Sequence, residues 1–191
     1  MPRLILASAS PRRLDLLARI GVIPDAIAPA DIDESVPLGE LPREHASRLA
    51  REKALAIMAT EPTALVLAAD TVVAVGRRIL PKVEDEATLR SCLRLLSGRR
   101  HRVLTGVALA VPGGAIRERL VETMIAMKRL SEEEIDFYAN HGEWRGKAGG
   151  YALQGYGEVY VRHIAGSYSN VVGLPLAETR VLLKSAGYPL A

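Results

Sequence analysis

One run limits the fold more than any other. Ala64-Leu65-Val66-Leu67-Ala68-Ala69 is continuously apolar, the mark of a strand buried on both faces. It reaches Asp70-Thr71 and resumes as Val72-Val73-Ala74-Val75. A carboxylate inside apolar sequence is costly unless it is paired, hydrogen-bonded or metal-bound. Asp70 therefore carries the strongest functional signal of any acid in the chain.

A second constraint lies near the start. Leu4-Ile5-Leu6-Ala7 suits a buried strand, and Leu14-Asp15-Leu16-Leu17-Ala18-Arg19-Ile20 has apolar residues at helical spacing. Between them stands Ser8-Ala9-Ser10-Pro11-Arg12-Arg13. Pro11 fits the first helical turn, where its missing N–H costs nothing. Strand, small-residue loop and helix N-terminus form an anion site, because free backbone N–H groups and the positive dipole end point outward. Ser8 and Ser10 add hydroxyl donors, and Arg12 and Arg13 add forked donors that match phosphate oxygens. The plainer alternative is a strand–helix turn with two solvated arginines.

The remaining pattern alternates strands and helices. A strand is expected over 22–30, then the acidic cluster Asp31-Ile32-Asp33-Glu34, a loop, and a helix over 42–60 with Lys53 inside it. Its apolar face is assigned to Ala46, Leu49, Ala50, Leu55, Ile57 and Met58. A hairpin turn at Gly76-Arg77-Arg78 leads back toward Lys82, and helical spacing covers 84–96. Strands are expected over 101–111 and 115–128, joined by Pro112-Gly113-Gly114. Ser131-Glu132-Glu133-Glu134 is a capping box opening a helix to about 141. Glycines crowd 146–157, where backbone must approach something closely. A strand over 158–164, a polar loop over 166–170 and a helix over 175–186 complete the pattern. No repeat, low-complexity tract or linker divides it, so a single domain over 1–191 is expected.

The net charge of +3 is small and scattered, which argues against a nucleic-acid stripe. Cys92 is the one cysteine, so no internal disulfide forms and no oxidising compartment is needed. No run approaches the roughly 20 apolar residues of a membrane span, and the first residues are too polar for a secretory segment. A cytoplasmic location is expected.

Four features sit at strand ends or in loops, where ligand sites of open α/β sheets lie: the Ser8 to Arg13 stretch, Asp33-Glu34, Asp70-Thr71, and the glycine-rich loop. With Lys53-Ala54, Lys82, Ser97-Gly98 and His101, Thr105-Gly106, Lys147-Ala148-Gly149-Gly150-Tyr151, Gln154-Gly155 and Gly166-Ser167-Tyr168-Ser169-Asn170-Val171-Val172-Gly173-Leu174-Pro175, the chain resembles the Maf family of nucleoside triphosphate pyrophosphatases along essentially its whole length. It departs at Pro81-Lys82-Val83, where the family usually has Gly-Lys-Pro.

The resemblance implies an α/β fold: a long mixed β-sheet flanked by helices, with two lobes around a cleft. It implies hydrolysis of a nucleoside triphosphate to monophosphate and pyrophosphate, with a divalent metal such as magnesium. Asp70 matches the proposed general base, and Glu34 and Asp70 are the carboxylates assigned to the metal. Arg12, Arg13, Lys53 and Lys82 would offset triphosphate charge. Arg12, Thr71 and Gln154 fall where the family selects its base. A branch acting on methylated guanine nucleotides has Trp, Gln and Glu there, so the resemblance is to the dTTP and UTP branch. The expected partner is a small nucleotide, with no membrane and no stable nucleic acid; a homodimer is compatible. Two other classes stay open at this stage: a non-catalytic nucleotide- or RNA-binding module, and a division regulator acting through protein contacts.

Overall fold

Period-two alternation along the long strands decides where the layers lie. The computed structural model describes residues 2–190. In chain order the elements are β1 (Leu4–Leu6), α1 (Pro11–Arg19), β2 (Ala26–Ile27), α2 (Pro42–Thr60), β3 (Leu65–Val75), β4 (Arg78–Leu80), β5 (Lys82–Val83), α3 (Glu86–Leu96), β6 (Arg100–Ala110), β7 (Ile116–Met127), α4 (Glu132–His141), β8 (Lys147–Ala148), a 3-10 turn over Tyr156–Tyr160, β9 (Val161–Ala165), α5 (Tyr168–Val172) and α6 (Leu176–Ser185). The main sheet runs β2-β1-β3-β6-β7-β9, with β4 also on β3; β5 and β8 form a separate two-stranded ladder. Strands β1 and β2 are parallel to their neighbours and the others antiparallel, so the sheet is mixed.

Leu65, Leu67 and Ala69 of β3 and Val107 and Leu109 of β6 pack with Leu16, Leu17, Leu182 and Leu183 of α1 and α6. The intervening residues, Val66, Ala68, Ala108 and Ala110, pack on the opposite face with Ala50, Ala54 and Met58 of α2. That face is lined by small side chains, so α2 lies close to the sheet. Gly106 takes this furthest: a Cβ there would sit 2.2 Å from the carbonyl oxygen of Ala46. Backbone cannot swing aside as a flexible side chain does. Gly106→Ala is expected to cost about 1–3 kcal/mol through overpacking, by pushing α2 off the sheet. Urea unfolding checks this; unchanged stability would show that α2 is not seated on Gly106.

The α/β architecture agrees with expectation, and the local differences have physical reasons. The strand expected over 22–30 shrinks to Ala26–Ile27, since Val22 N–H is held by Leu17 O at the end of α1 and Pro24 and Pro29 remove ladder donors. β3 passes through Asp70 and Thr71 without a break. Part of the expected polar loop after Gly166 winds into α5, whose first turn is capped by Ser167 Oγ accepting from Asn170 N–H. The strand expected from 158 starts at Val161, after the 3-10 turn. The β5–β8 ladder is two residues long on each side, too short for periodicity to reveal.

Candidate active site

The site begins as a gap in the sheet. On one side β3 is paired along its length with β6, from Val66 to Ala74. On the other side β1 pairs Leu65 to Leu67 and β4 pairs Val73 to Val75. Residues 68–72 lack a strand neighbour there, and Asp70 stands at the middle of this open stretch. β1 ends at Leu6, and its chain turns away into the Ser8 to Arg13 loop.

Asp70 alternates onto the α2 face, with Val72 and Ala74 beyond it. The buried stripe of α2 runs Ala46, Leu49, Ala50, Lys53, Ala54, Met58, so Lys53 is carried inward onto Asp70. Its ammonium lies 2.7 Å from Asp70 Oδ1 and 2.6 Å from Glu34 Oε1, and both Lys53 and Asp70 are buried. Glu34 also receives Lys82 Nζ at 2.5 Å. Burial would raise the Glu34 pKa, but the hydrogen bonds from Lys53 and Lys82 outweigh it and hold the carboxyl at about 2. The preceding Asp33 turns away, accepting from Ser35 N–H and Oγ. The loop itself is tied to α2 by Arg48, which donates to Ser35 O at 3.0 Å and to both Glu40 oxygens. Glu40 in turn meets buried His45 Nδ1 at 2.6 Å.

The opposite face is organised by Arg13. It donates to Gly173 O at 2.9 Å, Ser8 Oγ at 2.8 Å and Thr71 Oγ1 at 3.3 Å. Burial lowers its pKa while Asp70 raises it, and lowering prevails. Arg13 thus ties three segments of the chain together. Thr71 Oγ1 lies 3.0 Å from Thr105 Oγ1, so its hydroxyl is engaged inside the protein. Ser8 Oγ accepts from Arg13 and, at 3.3 Å, from Ser10 N–H; its own O–H is left to donate. Ser10 caps α1 without a side-chain bond. Half-buried Arg12 lines the cleft without a protein partner among the described residues, and burial lowers its pKa.

These groups line one cavity of about 630 Å³. Its far wall comes from the glycine-rich segment: Arg145, Lys147, Ala148, Tyr151, Leu153 and Gln154. Glu143 holds that segment, accepting from Tyr138 Oη, Tyr156 N–H and Gly157 N–H at 2.8, 3.0 and 2.8 Å. A Cβ on Gly155 would meet Glu143 Oε2 at 2.2 Å, so a larger residue there would have to displace the Glu143 carboxylate from its three hydrogen bonds. Six basic residues and two acids line the cavity, a balance that draws in an anion.

Behind the wall, His101 Nε2 meets Tyr151 Oη at 2.7 Å, while His101 Nδ1 is buried without a partner. Burial pushes the imidazole down to about 4 from an ordinary 6.5. Between those values the unfolded chain binds a proton that the folded chain refuses. Stability is therefore expected to fall as pH drops from about 6.5 to about 4, by about 3 kcal/mol over the window. Melting curves across it should be steeper for wild type than for His101→Gln; equal slopes would remove His101 from the acid response.

The family model described as Maf-like protein matches residues 3–186. The chain belongs to the Maf family. A dTTP/UTP pyrophosphatase of Novosphingobium aromaticivorans is 61% identical over 186 residues, covering 97% of this chain and 92% of its own. One of Caulobacter vibrioides is 60% identical, covering 98% and 97%. One of Paramagnetospirillum magneticum is 60% identical, covering 98% and 99%.

In this Maf chain Ser8, Ser10, Arg12, Arg13, Glu34, Lys53, Asp70, Thr71, Lys82 and Gln154 all line the one cavity. The sequence expectation missed Arg145, Lys147 and Tyr151 on its wall and Arg48 and Glu143 behind it. Tyr151 and Lys147 stand in the glycine-rich motif, which was their available signal; Arg48 and Glu143 had none. Lys82 keeps its place beside Glu34 despite its changed neighbours Pro81 and Val83. Among the described residues, no helix is long and apolar enough to cross a membrane.

Proposed function

We propose that this Maf protein hydrolyses dTTP and UTP to the monophosphate and pyrophosphate. What carries the reading is the buried Asp70 at the open edge of β3, held by Lys53, which also bonds Glu34, inside a cavity dominated by cations. The names of the relatives support the same chemistry. Arg12 and the hydroxyls of Ser8 and Ser10 would bind phosphate oxygens. Asp70 would hold the attacking water by accepting its proton, in hydrogen bonding or transfer. As the new O–P bond forms at the α-phosphorus, the bond to the β-phosphate oxygen breaks, and Lys53 and Lys82 would balance the charge gained by the departing pyrophosphate.

Glu34 and Asp70 fit a divalent metal in one respect: their oxygens converge on a single cation, the Lys53 ammonium. Magnesium is held by one or two carboxylates, with water and phosphate as its other ligands, so two acids suffice. When bound, the ion would neutralise phosphate charge during the displacement. Among base-selecting positions, Gln154 is exposed on the wall with no bond to fix its amide among the described residues, and Arg12 is open to the cavity. A cytoplasmic location belongs to this reading; Cys92 is buried and unpaired by disulfide.

Pyrophosphate release over a panel of common and modified triphosphates, with magnesium and with EDTA, tests the proposal. dTTP and UTP should lead, and EDTA should stop the reaction. Release from no triphosphate would overturn the assignment as an enzyme, and a preference for methylated guanine nucleotides would overturn the branch.

A further inference from the structure

The cavity lining is of two chemical kinds. Ser8, Ser10, Arg12, Arg13, Glu34, Lys53, Asp70 and Lys82 are polar or charged, whereas Val73, Val103, Tyr151, Leu153 and Val171 are apolar or aromatic. A nucleotide is divided in the same way, into a polyanionic tail and a flat base. Val73 is three residues from Asp70 on β3, a separation of about 10 Å along a strand. Tyr151 is the one aromatic side chain among the described residues lining the cavity.

Tyr151 is held at every level. Gly149 and Gly150 before it have φ of +69° and +72° and lie against Val73, Val83 and Leu89 so closely that a Cβ would stand 3.0 Å from Val73 Cγ1 and 2.8 Å from Leu89 Cδ1. The N–H of Ala152 after it donates to Tyr138 Oη at 3.0 Å. Its own hydroxyl points inward to His101 Nε2, and the two rings meet edge to face, 5.4 Å apart and at 84°. Tyr151 lines the cavity while only 6% exposed, and with Oη engaged behind the wall its hydroxyl is not what it offers there. His101 is 2% exposed and leaves Nδ1 without a partner. Leucine or phenylalanine would fill that space without an orphaned nitrogen, so what the imidazole adds at this position is its bond to Tyr151.

We propose that Tyr151 is the surface on which the nucleobase of the substrate rests, and that His101 is the positioning residue that holds its ring there. The proposal rests on the nucleotide reading above and adds a division of labour. Stacking on an aromatic ring tolerates any base, so Tyr151 supplies affinity for the base while groups around it discriminate.

The test compares a ligand that has a base with one that does not. Titration calorimetry without magnesium gives Kd for dTTP and for inorganic tripolyphosphate on wild type, Tyr151→Leu, Tyr151→Phe, His101→Leu and His101→Gln. Kinetics with dTTP and magnesium give kcat and KM on the same proteins. Tyr151→Leu should weaken dTTP about tenfold, raising KM with little change in kcat and leaving tripolyphosphate within about twofold. Tyr151→Phe keeps the ring and loses the bond, so it should match His101→Leu with a smaller loss, while His101→Gln, which can still bond Oη, should stay near wild type. Equal weakening of both ligands would overturn the proposal, as would dTTP affinity unchanged in Tyr151→Leu. If Tyr151→Leu does not fold, the agreement or disagreement of Tyr151→Phe with His101→Leu decides. Absence of pyrophosphate release by wild type would overturn the catalytic reading alone, since the Kd comparison does not depend on turnover.

Discussion

Asp70→Asn is expected to lower kcat for dTTP by about a hundredfold or more while leaving the protein folded, as removal of a positioned base or metal ligand does. Carboxylate and amide are nearly isosteric, and the β3–β6 ladder on either side of Asp70 is made by backbone. The amide oxygen can still accept from Lys53. The ammonium is not stranded either, since Glu34 stays 2.6 Å from it. What disappears is the negative charge at the open edge of the strand, with which Asp70 would draw the proton of an attacking water or help bind a cation. Pyrophosphate release with magnesium and a melting curve on the same preparation check this. A variant that keeps its Tm and more than about a third of wild-type kcat would show that Asp70 is not in the reaction.

The second large effect is on Lys53, where stability and activity should separate. The Lys53 and Asp70 side chains are only 9% and 7% exposed. Removing one partner of a buried ion pair leaves an uncompensated charge and costs about 3–5 kcal/mol. Lys53→Met should show a loss of that order in urea unfolding, together with about a hundredfold loss of kcat/KM from the missing cation. Adding Asp70→Asn removes the stranded carboxylate, so the double variant should regain most of the stability while regaining no activity. Such coupling is the sign of residues in direct contact. If the two stability losses simply add, the pair does not hold this part of the fold together, and Lys53 acts on the substrate alone.

Much of this arrangement could be read from the chain, for identifiable reasons. Asp70 was legible because charge inside a two-face-buried strand has few explanations. The Ser8 to Arg13 loop was legible because strand, small residues and helix start follow one another without interruption. Lys53 was only half legible. The resemblance placed it among the cations that offset phosphate charge, but the apolar face assigned to α2, with Leu55 and Ile57 in it, left the lysine out; the true stripe leaves Leu55 42% exposed and buries Lys53. A shift of the apolar face by part of a turn was enough to hide it. Thr71 was expected to meet the base, and the structure places its hydroxyl against Thr105 and Arg13. The groups that hold the Glu34 loop and the glycine-rich wall, Arg48 and Glu143, were illegible because their contacts depend on how distant loops travel. No local periodicity reports that.

Glu34 has a consequence for the order of events. In the structure it occupies both Lys53 and Lys82, so the two lysines present little unbalanced charge to solvent. On the proposed reading an approaching triphosphate would meet Arg12, Arg145 and Lys147 first. These residues would then set the long-range pull, and with it the salt sensitivity of the association rate. On the proposed reading the lysines would act on phosphate only after changing partner, at contact distance, where mobile ions screen them little. Capture and turnover would then fall to different cations. Neutral substitutions at Arg12 or Arg145 should flatten the ionic-strength dependence of kcat/KM, whereas those at Lys53 should show in single-turnover rates at saturating nucleotide.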